Sequence, residues 1–251
     1  MAYLLQETQA GRIRVIQKYQ SSRYGSKGKR RGEWQRPTPQ AVERANERRA
    51  LEKLWLLLNA NFAEGDLFVL LTYRKENRPD GDTAKEQLAK FLRKARALYR
   101  REGKELKYIW VTEYKNAAIH HHLVMNRIDP TLLAPLWPHG MVRTESLYED
   151  GQFRGLAEYL IKETSKTFRE TGGKRWNPSK NLTRPKESRQ VVSAGSWRKE
   201  PKIPKGYRLW GEVESGVSQI TGWPYQRYVM LALPPAKFGA SRKKAAAPKR
   251  E

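Results

Sequence analysis

Residues 107–114 read Lys-Tyr-Ile-Trp-Val-Thr-Glu-Tyr, and residues 119–126 read Ile-His-His-His-Leu-Val-Met-Asn. Both runs are rich in β-branched, aromatic and apolar residues and hold no Gly or Pro, the composition of a strand. The connection between them, Lys115 to Ala118 with Asn116 in it, has hairpin length. Two such strands joined so closely pair antiparallel, which commits the middle of the chain to a sheet. Alternation along a strand then sends His120 and His122 to one face and His121 to the other. With about four residues in the loop, Glu113 is expected opposite His122 on the same face.

Three of the four histidines of the chain lie in this one strand. Neutral imidazole is the commonest protein metal donor, so Glu113, His120 and His122 form a candidate three-ligand site with open positions. A carboxylate and two imidazoles suit Mg²⁺ or Mn²⁺ and would also hold Zn²⁺. The plainer alternative is a set of solvent-facing histidines and an exposed strand carboxylate.

Residues 153–166 have helical period. Phe153, Leu156, Ala157, Leu160 and Ile161 form one apolar stripe. Tyr159 flanks that stripe, Lys162 lies about one turn on, and Lys166 another turn beyond. A tyrosine at the rim of a packed face with ammonium groups beside it is placed to meet a phosphate. A packing tyrosine with solvated lysines is the ordinary alternative, and the chain has 12 tyrosines.

Charge narrows the partner. Lys plus Arg is 50 against 26 Asp plus Glu, a net +24 in 251 residues. That excess repels itself and does nothing for folding, so it signals a polyanion, nucleic acid above all. No segment reaches the roughly 18 apolar residues of a spanning helix, and Met1 to Gln6 is too short and uncharged for a signal peptide. With no cysteine, disulfides and thiolate metal sites are excluded. The expectation is a cytoplasmic protein that binds DNA or RNA and has no membrane partner.

Around the centre, residues 11–19 alternate as a strand and 20–37 read as a flexible basic linker. Thr38-Pro39 starts a helix that runs to about Asn59, with Leu51, Leu54, Trp55 and Leu58 on its apolar side. A strand from Leu67 to Tyr73, a turn at Arg78 to Gly81 and a helix from Thr83 to Gly103 follow. Beyond the hairpin come a short helix near Asp129 to Leu136, a turn at Trp137-Pro138-His139-Gly140, a strand to Leu147 and the tyrosine helix. Strand, helix, hairpin, helix, strand and helix make an α+β layer: an antiparallel sheet with helices packed on one side. Residues 167–207 interleave Trp176 and Trp197 with cations, a pattern that suits single-stranded DNA. Its candidate contacts, with the end of the tyrosine helix, are Lys166, Lys174, Arg175, Trp176, Lys180 and Arg184. Tyr207 to Gly211 and Tyr228 to Leu233 are strand candidates that extend the sheet. The expected organisation is a strand and linker over 1–37, a core over 38–170, a basic DNA-contacting loop over 171–206, C-terminal strands over 207–236 and a disordered basic tail over 237–251.

The order of motifs is Leu70-Leu71-Thr72-Tyr73, then Glu113, then His120-His121-His122, then Tyr159-Leu160-Ile161-Lys162. It resembles the HUH endonucleases, and within them the single-tyrosine rolling-circle replication proteins of bacterial plasmids, phages and integrated elements. Asn59-Ala60-Asn61-Phe62, the Trp137 segment before Gly140, and Ser179 to Pro185 add to the resemblance, which covers roughly residues 38–190. It departs from the family pattern at His121, where an ordinary hydrophobe is expected. The resemblance implies an RNA-recognition-motif-like or ferredoxin-like sheet. It also implies a divalent metal on Glu113, His120 and His122, nucleophilic Tyr159 assisted by Lys162, and cutting and rejoining of single-stranded DNA at a replication origin. No Gly-x-x-x-x-Gly-Lys-Ser/Thr phosphate loop is present, so unwinding is expected from a separate host helicase. A relaxase or transposase with the same site, a water-using metal hydrolase and a non-enzymatic DNA-binding protein are the alternatives.

Overall fold

The computed structural model describes residues 3–20, 38–115, 118–148, 152–171, 174–192, 198, 200–217 and 223–233. The expected linker after Gln20 and the expected tail lie outside these residues. Ten strands and three α-helices are described: β1 (Tyr3–Ala10), β2 (Ile13–Tyr19), α1 (Pro39–Asn61), β3 (Leu67–Thr72), α2 (Gly81–Arg101), β4 (Tyr108–Lys115), β5 (Ala118–Met125), β6 (Val142–Ser146), α3 (Arg154–Thr171), β7 (Asn177–Pro178), β8 (Lys186–Val192), β9 (Tyr207–Val217) and β10 (Pro224–Ala232). The class is α+β with antiparallel sheets, as expected.

The first sheet has strand order β6-β3-β5-β4-β7. Since β3 and β4 both run antiparallel to β5, they are parallel to each other and need a crossover, which α2 supplies. Strand β6 returns beside β3 after two short 3-10 turns, Pro130–Leu132 and Ala134–Leu136, which stand where a short helix was expected. This is the ferredoxin-like arrangement. Asp80 caps α2 by accepting from Asp82 N and Thr83 N, which satisfies two otherwise orphaned donors.

Alternation sorts the core. Leu67, Val69 and Leu71 of β3 and Leu123 and Met125 of β5 pack on Leu88, Phe91, Leu92, Ala95 and Tyr99 of α2, and the 3-10 turns add Leu133 to the same side. The opposite face, with Ile109, Val111 and Val124, meets Leu54, Trp55 and Leu58 of α1 and Phe153, Ala157 and Leu160 of α3. The unit β3–β6 therefore has its own helical layer on one side, while α1 and α3 cover part of the other.

The strands outside this unit form a separate sheet, β8-β1-β2-β10-β9. This corrects two expectations. The C-terminal strands do not extend the histidine sheet; they pair with the N-terminal hairpin, which the short alternating run Tyr3–Ala10 builds with β2. The stretch 171–206 is not all loop either, since β7 edges the first sheet and β8 pairs with β1. Ala10, Ile13, Val15, Val229 and Leu231 of the second sheet share the α1 and α3 core. Trp55 is the hub of that junction, 5.8 Å from the Trp210 ring of β9 and under the Arg154 guanidinium of α3.

The β1–β2 turn rests on the end of α1. Gly11 has φ +54°, and a Cβ there would lie 2.0 Å from the Asn59 carbonyl oxygen. Gly11→Ala is therefore expected to destabilise the protein by about 2 kcal/mol or more, because strain and a backbone clash add. Urea unfolding would check this, and an unchanged midpoint would refute it.

Candidate active site

Glu113, His120 and His122 share the α1 and α3 side of the first sheet. They stand on its inner strands β4 and β5, which have neighbours on both edges and make a stiff platform. The register differs from expectation. The strands continue to Lys115 and resume at Ala118, so Glu113 faces His120 across the pair, and His122 faces Val111. The shorter connection shifts the pairing by two residues and leaves every side chain on its expected face. Glu113 still reaches His122 along the diagonal: Oε2 and Nε2 are 3.1 Å apart, with the His122 side chain 4% exposed and the Glu113 side chain 10%. A carboxylate and an imidazole so thoroughly removed from water must satisfy each other.

His120 sits at the partly open end of this pair. Its Nδ1 lies 3.1 Å from the Ala118 carbonyl oxygen. With Nδ1–H donating to that carbonyl, Nε2 becomes the donor atom available to a metal, a common way of orienting a ligating imidazole. The donor set thus has the chemistry of a site for a divalent cation with O and N ligands. Among the described residues no three His, Asp or Glu side chains are gathered round one point; two of the predicted three touch, and the third stands on the same face.

His121 takes the other face and a different role. It is fully buried, with Nε2 2.9 Å from the Tyr73 hydroxyl and Nδ1 2.9 Å from Thr112 Oγ1. Trp137 packs edge-on against it, ring centroids 5.8 Å apart, and donates its Nε1–H to the Thr72 carbonyl oxygen. Both ring nitrogens are engaged away from the Glu113 side, so this histidine stands where a hydrophobe would. Burial lowers its pKa to about 3, with His122 and His120 adding to the shift. The folded protein therefore holds His121 neutral, whereas the unfolded chain takes up a proton near pH 6.5. Stability should fall as pH drops from about 6.5 toward 3. His121→Leu should remove that part of the acid sensitivity, while lowering stability near pH 7 by roughly 1–3 kcal/mol through the orphaned Tyr73 and Thr112 hydroxyls. Melting curves across this pH range for the two proteins would show equal acid slopes if the reading is wrong.

Helix α3 brings Tyr159 over the pair. Its apolar stripe packs down through Phe153, Ala157 and Leu160, which leaves Tyr159 at the rim, 41% exposed. The Tyr159 ring stands edge-on to His122 with centroids 5.5 Å apart, and edge-on to Phe68 at 6.1 Å. Phe68 in turn stacks on His122 at 5.7 Å. Lys162, one turn along, is exposed. Four of the five predicted metal and catalytic residues, Glu113, His120, His122 and Tyr159, are thus on one side of one sheet, with Lys162 following on the same helix.

The predicted DNA contacts divide. Lys174, Lys180 and Arg184 are exposed. Arg175 is instead turned onto Glu47 of α1 at 3.7 Å, and Trp176 packs against the α1 and α3 core, so both hold the segment to the body of the protein. The side chain of Lys166 and the whole of Trp197 lie outside the described residues. Two sequence motifs meet here: Asn61 Nδ2 donates to the Thr183 carbonyl oxygen at 2.8 Å, and Thr183 N donates back to Asn61 Oδ1 at 2.7 Å. Ser179 is buried and bonds both ways with the Tyr108 backbone.

Phe68 and Arg143 were not singled out from sequence. Leu70 of β3 faces both His122 and Arg143 of β6, so Arg143 belongs to the same side of the sheet as the histidine pair. It is exposed and stands two strands from His122, about 10 Å away by ordinary strand spacing. The alternation of β3 and β6 carried the signal, but only pairing orients it.

No curated protein and no solved structure matches the chain. No described helix is long and apolar enough to cross a membrane. A family model does match, over residues 66–168: that of the replication-associated protein family that includes ORF2. The matched segment begins beside β3 and ends within α3, and it contains Glu113, the three strand histidines, Tyr159 and Lys162. Over these residues the chain has the pattern of the replication-associated protein family, consistent with a rolling-circle Rep protein of the HUH superfamily.

Proposed function

We propose that the protein initiates rolling-circle replication by nicking and rejoining single-stranded DNA through a 5′-phosphotyrosine at Tyr159. The observation that carries this reading is a partly exposed tyrosine held edge-on to the buried Glu113–His122 pair. A replication role accords with the family match. In the proposed reaction Tyr159 Oη attacks phosphorus, the bond from phosphorus to the 3′ oxygen breaks, and a 3′-hydroxyl leaves with the proton. Attack by a 3′-hydroxyl on the phosphotyrosine reverses the step and restores Tyr159. The covalent link conserves the phosphodiester energy, so rejoining needs no external source.

A free phenol titrates near pH 10 and is a weak nucleophile at neutral pH. Lys162, exposed on the same helix, is assigned to favour the phenolate and the charge that develops on the phosphoryl oxygens. Glu113, His120 and His122 would hold a divalent cation, Mg²⁺ or Mn²⁺, which when bound would orient and neutralise the phosphate. Glu113 and His122 hold each other's geometry, and Phe68 packs against both His122 and Tyr159. Arg143 is assigned to a neighbouring phosphate of the same strand. A separate helicase would supply the unwinding.

The experiment is incubation with Mn²⁺ and end-labelled single-stranded oligonucleotides that tile the DNA flanking the gene. A labelled adduct that survives denaturation, with a free 3′-hydroxyl on the other product, supports the proposal. Nicked product with no protein attached would favour a water-using hydrolase, and binding without cleavage a non-enzymatic role.

Strand binding should be strongly salt-dependent. Neutralising Lys174, Lys180 and Arg184 to Gln should flatten the dependence of log affinity on log salt by roughly 0.7 for each that meets a phosphate. Arg175→Gln should act on stability instead, through its loss from Glu47. An unchanged slope in the triple variant would remove this segment from the binding surface.

A further inference from the structure

The outer face of α2 carries a run of cations that the site above does not use. Lys90, Arg93, Lys94, Arg96, Arg100 and Arg101 are exposed, while Phe91, Leu92, Ala95, Leu98 and Tyr99 between them are buried. Lys90 with Arg93, Lys90 with Lys94, and Arg96 with Arg100 are neighbours at helical spacing, and like charges so placed destabilise a helix. Among the described residues the ion pair on this helix is Lys85 with Asp82, in its first turn. Arg96 is turned onto the Tyr108 hydroxyl at 2.6 Å. The field of Lys90 and Lys94 reaches His139, whose pKa is lowered by burial first and by these two charges next. An arrangement that works against the folded helix calls for an anionic partner outside the chain.

Two further features say which polyanion. The stripe from Lys90 to Arg101 is straight and about 17 Å long at the rise of an α-helix, enough to follow several phosphates of a regular backbone. No aromatic residue is exposed along it, so it offers nothing for unstacked bases to lie on, and stacking is a large share of single-strand affinity. Helix α2 also packs on the face of the sheet opposite Glu113 and His122, so what it binds is not the strand held at Tyr159.

We propose that the outer face of α2 is a second nucleic-acid surface that binds the phosphate backbone of double-stranded DNA, independently of the candidate active site. The protein would then hold duplex on one side of the sheet and the single strand on the other.

The test compares the full chain with a variant carrying Lys90→Gln, Arg93→Gln, Lys94→Gln and Arg101→Gln. Gln has about the helix propensity of Lys and Arg, and circular dichroism checks the fold. A control variant loses the same charge at Arg44, Arg48, Arg49 and Arg208. Affinity for a blunt duplex without single-stranded ends, and for a single-stranded oligonucleotide of equal length, is measured over a range of salt. The α2 variant should lower the salt slope for duplex by about 3 to 4, at roughly 0.9 per phosphate contact, and change single-strand binding no more than the control does. Duplex binding should also persist in Tyr159→Phe and Glu113→Gln, which separates this proposal from failure of the nicking reaction. An unchanged duplex slope would overturn the proposal. So would an equal loss on single strands, or a loss matched by the control. Binding to vesicles rich in anionic lipid, lost in the α2 variant while duplex binding stays intact, would overturn it in favour of a membrane surface.

Discussion

Replacing Tyr159 with Phe is expected to give a folded protein that still binds single-stranded DNA and leaves neither nick nor adduct. The ring contacts with His122 and Phe68, at centroid distances of 5.5 and 6.1 Å, are made by carbons that Phe retains. Only the phenolic oxygen is lost, and stability should change by about 0.5 kcal/mol or less at so exposed a position. Without the oxygen there is no group to form the bond, so the rate should fall by at least on the order of 10⁴. Lys162→Ala should slow adduct formation without eliminating it, because a neighbouring charge assists the reaction but carries none of the bonds. Peptide mass spectrometry of the wild-type adduct identifies the nucleophile directly. Tyr148 is the control, since it is 90% exposed at the end of the loop after β6; a DNA-linked peptide containing Tyr148 would keep the covalent chemistry and refute the choice of Tyr159.

Glu113→Gln should abolish nicking while leaving binding to DNA largely in place. The amide keeps the size of the carboxylate and can still bond to His122, so the buried pair is not torn open. His120→Ala should do the same with a modest effect on stability, because His120 is only partly buried. His122→Ala is the poorer experiment: it removes one member of a buried pair, and leaving Glu113 unpaired would destabilise the fold by about 3–5 kcal/mol. Loss of activity there would not distinguish chemistry from unfolding. Calorimetric titration with Mn²⁺ should detect binding to wild type and not to Glu113→Gln, and EDTA should stop wild-type nicking. Nicking by Glu113→Gln at the wild-type rate in metal-scrubbed buffer would defeat the metal assignment.

Local pattern was enough for the chemistry-bearing elements. Period-two alternation separated His121 from His120 and His122, because a pleated strand leaves successive side chains no other choice. Helical period put Tyr159 at the rim of a packed stripe, and Thr38-Pro39 marked where α1 begins. Charge alone pointed to a polyanion. Pairing lay beyond that reach. Glu113 met His122 by a diagonal contact, since the hairpin turned two residues sooner than its sequence suggested. The C-terminal strands found β2 rather than β4, because the edge beside β4 is taken by β7 and hydrogen bonding between strands carries no address in local composition. Arg175 and Trp176 looked like DNA contacts in a basic stretch, yet Glu47 and the α1 core claim them from distant parts of the chain. Arg143 looked like one cation among 50 until the β3 register set it on the histidine face. By itself, then, the sequence determined which residue types face which way along each strand and helix, because that is set by backbone geometry over a few residues. Which faces meet, and so which of those residues share a site, was decided only by tertiary structure, because strand register and sheet order are chosen by contacts between segments far apart in the chain.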